Sequence, residues 1–257
     1  MKKITSKDNQ LYKLASRLAS RKYRDSYGQF LVEGEKVIRD AVQAGQKLVI
    51  VLAEEEYPLQ EESFPCPCVQ VEKKLFSALA QTTTTQGILA IVEKEKMDRD
   101  TFCRKIKEKS GNVILLDRLQ DPGNIGTIIR TADAAGYSGV MTIKGTADLY
   151  APKIVRATAG SLFRMPVYAA DSSQEAVSIL EEAGKTILAT GFQTDLYYYD
   201  VDMKRDIGLI IGNEGNGISD ELMQQAHKII KIPMDGEIDS LNAAVAAGIL
   251  MYEAVRK

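Results

Sequence analysis

Three short polar stretches of this 257-residue chain hold the side chains that could do chemistry. LLDRLQDPGNIGTIIRTADAAG (115–136), where a strand ends at Asp117, carries Asn124 and Arg130. LIIGNEGNGIS (209–219) sets Glu214 among Gly212, Gly215 and Gly217, and KIIKIPMDGEIDSLNAAVAAGILMYEAVRK (228–257) places Ser240 and Asn242 before a long apolar run. Arg130 sits in an otherwise apolar TIIRTADAA segment, where a guanidinium is costly unless it meets an anion. That anion is either a substrate phosphate or a carboxylate such as Glu214 or Asp133. Because an arginine does not readily lose its proton, its chemistry would be that of a positioning cation rather than a general base. Asn124 suits orienting a partner or capping a helix. Glu214, in a glycine-rich loop after a buried strand, could hold Arg130 or a substrate group. Ser240 and Asn242 either cap the last helix or face a ligand.

Several other chemistries are excluded. GNEGNG has G-x-x-G-x-G spacing, not the dinucleotide fingerprint G-x-G-x-x-G, and no G-x-x-x-x-G-K-[ST] phosphate loop exists. A Rossmann methyltransferase would need an early glycine-rich turn and an acid ending its second strand, and DRLQDPGNIG supplies neither. His227 is the single histidine and reads as structural; Cys66, Cys68 and Cys103 form neither a disulfide framework nor a metal cluster. Histidine-based triads and transition-metal sites are therefore not expected.

The elements that must position these residues alternate between strand and helix. Residues 8–23 have helical periodicity, a short strand at Phe30–Val32 runs into a helix ending near Gly45, and LVIVLA, CVQVE and QGILAIVE read as strands, with KKLFSALA a helix. These make a small α/β domain over 1–95. Residues 96–110 are strongly charged and read as a linker, partly helical in places. From 111 to 257, NVILLD, GVMTIK, TILAT, IGLIIG and KIIKIP are continuous apolar strands. Helices are expected between them at 123–135, 151–159, 172–183 and 219–226, with another at 240–256. Such strands with crossover helices imply a parallel sheet covered on both faces, with ligands beyond the strands' carboxyl ends. Asn124 and Arg130, six residues apart, share no helical face unless the turn bends one back.

A net charge of −2 argues against indiscriminate nucleic-acid binding, but the charge is uneven. The first 24 residues hold Lys2, Lys3, Lys7, Lys13, Arg17, Arg21, Lys22 and Arg24 against one acid, Asp8. That cluster is either a phosphate-binding footprint or the solvated face of an amphipathic helix. No apolar run approaches the ~20 residues of a membrane span, and the basic start lacks a signal-like apolar core, so a cytoplasmic protein is expected.

In DPGNIGTIIRTADAAG, IGNEGNGIS and IPMDGEIDSLNAAVAAGILMYEAVR, the chain resembles the SpoU (TrmH-like) family of RNA ribose 2′-O-methyltransferases of the SPOUT class. FLVEGEKVIRDAV resembles the small substrate-binding domain that precedes many members, of the kind seen in ribosomal proteins L7Ae and L30e. The resemblance implies an α/β methyltransferase domain with a deep trefoil knot, a homodimer whose site borrows from both subunits, and S-adenosylmethionine as cofactor. It implies cofactor contacts, largely through backbone, at Gly191, Ile211, Gly212, Ile232 and Leu241. Arg130, Asn124, Glu214, Ser240 and Asn242 would form the catalytic set around the target nucleotide. Lys7, Lys13, Arg17, Arg21, Lys22, Arg24, Arg156 and Arg164 are the candidates for contacts to RNA phosphates, which position but do not specify. The expected substrate is structured RNA, 23S ribosomal RNA ahead of tRNA, with no metal. The rival outside this class is a non-catalytic RNA-binding assembly factor that has kept the fold.

Overall fold

The computed structural model describes residues 2–80, 85–238 and 240–256, and its contacts divide the chain into two compact units. The first unit comprises Met1–Lys96 and Asp148–Phe163, the second Met97–Ala147 and Arg164–Lys257. The first contains β1 (Lys2–Ile4), α1 (Gln10–Arg17), α2 (Arg21–Tyr27), β2 (Gln29–Glu33), α3 (Glu35–Gln43), β3 (Leu48–Glu54), β4 (Cys68–Val71), α4 (Lys73–Leu79) and β5 (Ile88–Glu93). The second begins with α5 (Arg99–Glu108), β6 (Val113–Leu116), α6 (Pro122–Ala134) and β7 (Gly139–Ile143). The chain then returns to the first unit for α7 (Pro152–Ala157). It completes the second with β8 (Val167–Ala170), α8 (Ser173–Glu182), β9 (Thr186–Thr190), β10 (Ile207–Ile211), α9 (Asp220–Gln225), β11 (Lys228–Ile230) and α10 (Ala243–Glu253).

The first unit is a five-stranded sheet in the order β1-β4-β3-β5-β2, parallel through β3 and antiparallel at β5 and β2. Leu31, Leu52, Val71, Phe76, Leu89 and Ile91 fill its core together with Ala15 and Leu18 of the first helical segment. That segment, expected to be one helix over 8–23, is two. Ser20 is extended, and α2 ends on Gly28 in the left-handed region at φ 62°. Arg24 is the physical reason for the break. Its guanidinium is buried and donates to the carbonyls of Leu18 and Ala19 at 2.8 Å each, satisfying acceptors at the end of α1. It also donates to Asp148 Oδ2 at 2.7 Å. Arg24 is therefore corrected from a phosphate contact to a buried clasp. It holds the returning segment, whose Tyr150 and Phe163 rings lie 4.9 and 6.3 Å from Phe30.

The second unit is a six-stranded sheet in the order β11-β9-β10-β6-β7-β8, with every pairing parallel. β6, β7 and β10 are buried at every position, as continuous apolar strands require when helices cover both faces. The charged stretch 96–110 is not merely a linker. Its Phe102 and Ile106, one turn apart on the inner face of α5, join this core, and Cys103 beside them is buried. The half-exposed edge strand β8 and the three-residue β1 have too little apolar alternation to be read from sequence.

Candidate active site

From β6 the chain proceeds to β7 and β8 on one side of the sheet, while β10, β9 and β11 lie on the other. The β6/β10 boundary is thus a switch point, where loops diverge and leave a crevice. A cavity of ≈ 1040 Å³ opens beside it, at the carboxyl ends of β9, β10 and β11, lined by Gly191 and Phe192 after β9, Ile211–Ile218 at the end of β10, Ile230–Ile232 at the end of β11, and Ser240–Asn242 before α10. Gly191, Ile211, Gly212, Ile232 and Leu241 all line it, as do Glu214, Ser240 and Asn242. Gly212 must be glycine, because a Cβ there would fall 2.3 Å from the Gly217 carbonyl carbon and the Ile218 nitrogen. The loop closes on itself through paired Asn213 and Gly217 backbone bonds of 3.0 and 2.9 Å.

Glu214 has a structural set of partners. Its carboxylate accepts from the amides of Gln120 at 3.2 Å and Asp121 at 3.0 Å, and from Asn124 Nδ2 at 3.3 Å and Asn213 Nδ2 at 3.4 Å. Burial pushes this carboxyl up. Its own amide, the Asp121 amide, the Asn124 side chain and the Gln120 amide outweigh that and hold it below the usual carboxylate range. Asn124 Oδ1 in turn accepts from Asn242 Nδ2 at 2.9 Å, and Asn242 Oδ1 caps α10 by accepting from Ala244 and Val245. Because the Glu214 acceptor requires Asn124 to present Nδ2, the relay from Glu214 through Asn124 to Asn242 has a fixed sense. The cap of α6 is Asp121, which accepts from the Asn124 amide at 2.7 Å, so Asn124 is not a capping residue.

Asp117 and Arg118 are functional supports that sequence reasoning passed over. The Asp117 carboxylate is fully buried and accepts from the Ser219 amide at 2.6 Å and Arg118 Nε at 2.7 Å. It thereby fastens the far end of the glycine-rich loop to β6. The Asp117 carboxylate also holds the Arg118 guanidinium above its ordinary value. An acid directly ending an apolar strand was the available signal. Phe192, 69% exposed at the cleft, was also missed.

Arg130 stands apart. It is exposed on α6, whose Ile125, Ile128, Ile129 and Ala132 are buried, and it makes no hydrogen bond or ion pair with a described residue. The expectation of a costly arginine among apolar neighbours is corrected: the helical period turns Arg130 outward while its neighbours turn in. Neither carboxylate considered for it is available, since Glu214 is engaged as above and Asp133 holds Arg164 at 2.6 and 3.0 Å. Arg164 is accordingly an ion-pair partner rather than an open phosphate contact. Lys13 bonds Asp8 at 2.8 Å, while Lys7, Arg17, Arg21, Lys22 and Arg156 are exposed. His227 Nδ1 accepts from the Ile187 amide at 3.0 Å, the structural role expected.

The family model described as the SpoU rRNA Methylase family matches residues 111–252, and one described as an MRM3-like substrate binding domain matches 9–90. The chain belongs to the SpoU rRNA methylase family. It is a methyltransferase, and its cofactor is S-adenosylmethionine. A relative in Bacillus subtilis (strain 168), 23S rRNA (guanosine(2553)-2′-O)-methyltransferase RlmP, is 35% identical over 257 residues, covering 98% of each chain. Among solved structures, the AdoMet-bound rRNA methyltransferase of Sinorhizobium meliloti is 32% identical with a TM-score of 0.87, covering 98% of this chain and 97% of that one. The SpoU methyltransferase AviRb of Streptomyces viridochromogenes, in complex with AdoMet, is 31% identical at the same TM-score, covering 96% and 97%.

Proposed function

We propose that this SpoU-family chain transfers a methyl group from S-adenosylmethionine to a ribose 2′-hydroxyl of large-subunit ribosomal RNA in the cytoplasm. The observation that carries the reading is the single cleft that gathers Gly191, Ile211, Gly212, Ile232 and Leu241 beside Glu214, Ser240 and Asn242. The donor set fits the cofactor: exposed backbone at two glycines suits the polar edges of an adenosine, and Ile211, Ile232 and Leu241 suit its apolar faces. When bound, S-adenosylmethionine supplies an already activated methyl on a sulfonium. The protein's task is then to align the attacking hydroxyl and exclude competing water. Ser240 and Asn242 orient the ribose, and Arg130 holds the adjacent phosphate, with the hydroxyl proton passing to that phosphate or to water.

The separation of Arg130 from its own cleft favours a homodimer. α10 is apolar on every face, packs one side against α6, and leaves Val245 and Tyr252 about half exposed, with Ile238 exposed before it and Val255 after it. Such a patch suits an isologous contact, in which Arg130 of the partner subunit completes each cleft. The deep trefoil knot is supported by the likeness to the SpoU structures.

Within the chain, the RNA-recognition domain is the N-terminal portion, 1–95, the methyltransferase domain is 111–257, and α5 in the charged stretch 96–110 packs with the latter. The named activity of the Bacillus relative, which spans both portions of the chain, supports ribosomal RNA. A structure described by methylation of C/U34 on tRNA covers only 58% of this chain.

The test is transfer of label from radiolabelled S-adenosylmethionine to RNA from cells lacking the gene. We expect one 2′-O-methyl in 23S RNA, its loss in Arg130→Ala, and partial recovery when Arg130→Ala and Gly212→Ala chains are mixed. Recovery requires one intact composite site per mixed dimer. Labelling of tRNA instead would move the substrate, and cofactor binding without transfer to any RNA would favour the assembly-factor reading.

A further inference from the structure

We propose that the α1–α2 face of the first unit is a stacking platform for unpaired RNA bases, with Tyr23 and Tyr27 as the rings; this rests on the reading of RNA as substrate. Among the described residues of this unit, Tyr27 is the large aromatic or aliphatic side chain left well exposed, at 44%. Its ring lies 6.2 Å from that of Tyr23 with 16° between planes, so the half-buried Tyr23 backs the exposed Tyr27 in a nearly parallel pair one helical turn apart. Cations surround them. The Arg17 guanidinium carbon is 5.6 Å from the Tyr23 centroid, and its Nη1 donates to the Tyr27 hydroxyl at 3.4 Å. The Lys22 ammonium is 5.9 Å from the Tyr23 centroid. The acid in the cluster is Asp25, which faces Arg21 at 3.5 Å and Lys94 at 3.1 Å.

These parts do different things. Exposed lysines and arginines attract any phosphate backbone, paired or not. Aromatic faces add binding only where a base can lie flat on them, and a base inside a duplex has both faces covered by its neighbours. A face with both therefore favours unpaired nucleotides. The platform is also held rigid from beneath. Arg24, between the two tyrosines in sequence, is buried and bonded to Leu18, Ala19 and Asp148, which fixes α2 before RNA arrives. The basic residues were visible in sequence as a phosphate footprint; the rings give that footprint a preference.

The test uses the full chain with fluorescein-labelled oligoadenylate and an RNA duplex of equal length, read by anisotropy. Replacing both rings (Tyr23→Leu with Tyr27→Leu) should weaken oligoadenylate binding roughly ten- to hundredfold and leave duplex binding unchanged. The phenylalanine pair, which keeps the rings, should retain oligoadenylate affinity. The chain has no tryptophan, so Tyr27→Trp gives one reporter, whose emission should be quenched by oligoadenylate and not by duplex. An unchanged oligoadenylate affinity in the leucine pair, or an equal loss for both ligands, overturns the platform, as does tryptophan emission that saturating oligoadenylate does not move. Absence of methyl transfer to every RNA with the quench intact refutes the assigned reaction alone. Transfer with an unaltered KM for RNA in the leucine pair refutes the platform alone.

Discussion

Replacing Asn124 with leucine would test whether the relay from Glu214 to Asn242 holds the cleft together. The change keeps the branched outline of the side chain, raises helix propensity and removes two hydrogen bonds: Asn124 to Glu214 at 3.3 Å, and Asn242 to Asn124 at 2.9 Å. The second is neutral and contributes about 1 kcal/mol; the first, to a charged group, would contribute about 1.5–3 kcal/mol if buried. Glu214 is exposed, so the first is discounted to about 1 kcal/mol for solvent screening. The total of about 2 kcal/mol falls on the glycine-rich loop and the start of α10, both of which line the cleft. S-adenosylmethionine should therefore bind up to roughly thirtyfold more weakly, measured by calorimetric titration. The decisive measurement is the cycle with Asn242→Ala. Members of one relay couple, so the double variant should fall short of the sum of the single effects by about 1 kcal/mol. Strict additivity, or an unchanged Kd in Asn124→Leu, would refute the relay.

Gly212→Ala should abolish cofactor binding in the same titration, because its new methyl overlaps backbone at 2.3 Å and no side chain can yield. Arg24→Leu leaves Asp148 with its carboxylate buried and unpaired, and should destabilise the chain by about 3–5 kcal/mol in denaturant unfolding, whereas Lys13→Ala, at an exposed pair, should change stability little. The Glu214 carboxyl titrates below its ordinary value in the folded chain, so its contribution is fully present above about pH 4.5 and is lost as pH falls through the folded value. Glu214→Gln should flatten that acid limb of the stability profile while lowering stability at neutral pH.

The parallel sheet and its loops were legible because buried strands and glycine-rich ends leave a local signature, and the cleft residues stood at those ends. What escaped the sequence depends on partners far along the chain. Arg24 looked like one more cation in a basic run, and nothing nearby announces an acid 124 residues away. Asp117 acts on Ser219 across 102 residues. The charges of 96–110 masked an apolar stripe that only the helical period separates from them. The division at 148–163 is hidden for a related reason: the segment lies inside the SpoU match, yet its Tyr150 and Phe163 rings pack against Phe30 of the first unit.

The geometry of Glu214 bears on how such a cleft can work. A carboxylate offers about four acceptor positions, and four donors occupy them here. An acceptor so engaged, and held below the usual carboxylate range, has its lone pairs committed rather than free for a substrate proton. The other acid lining the cleft, Asp220, opens α9 at the edge of the loop. The chain has thus spent its central carboxylate on rigidity. That arrangement suits a reaction whose methyl donor is already activated, in which the hydroxyl must be aligned more than deprotonated. On the proposed reading its remaining need is a charge that fixes the phosphate beside the ribose. Arg130, exposed, without a partner among the described residues and unable to act as a base, is the residue proposed for it.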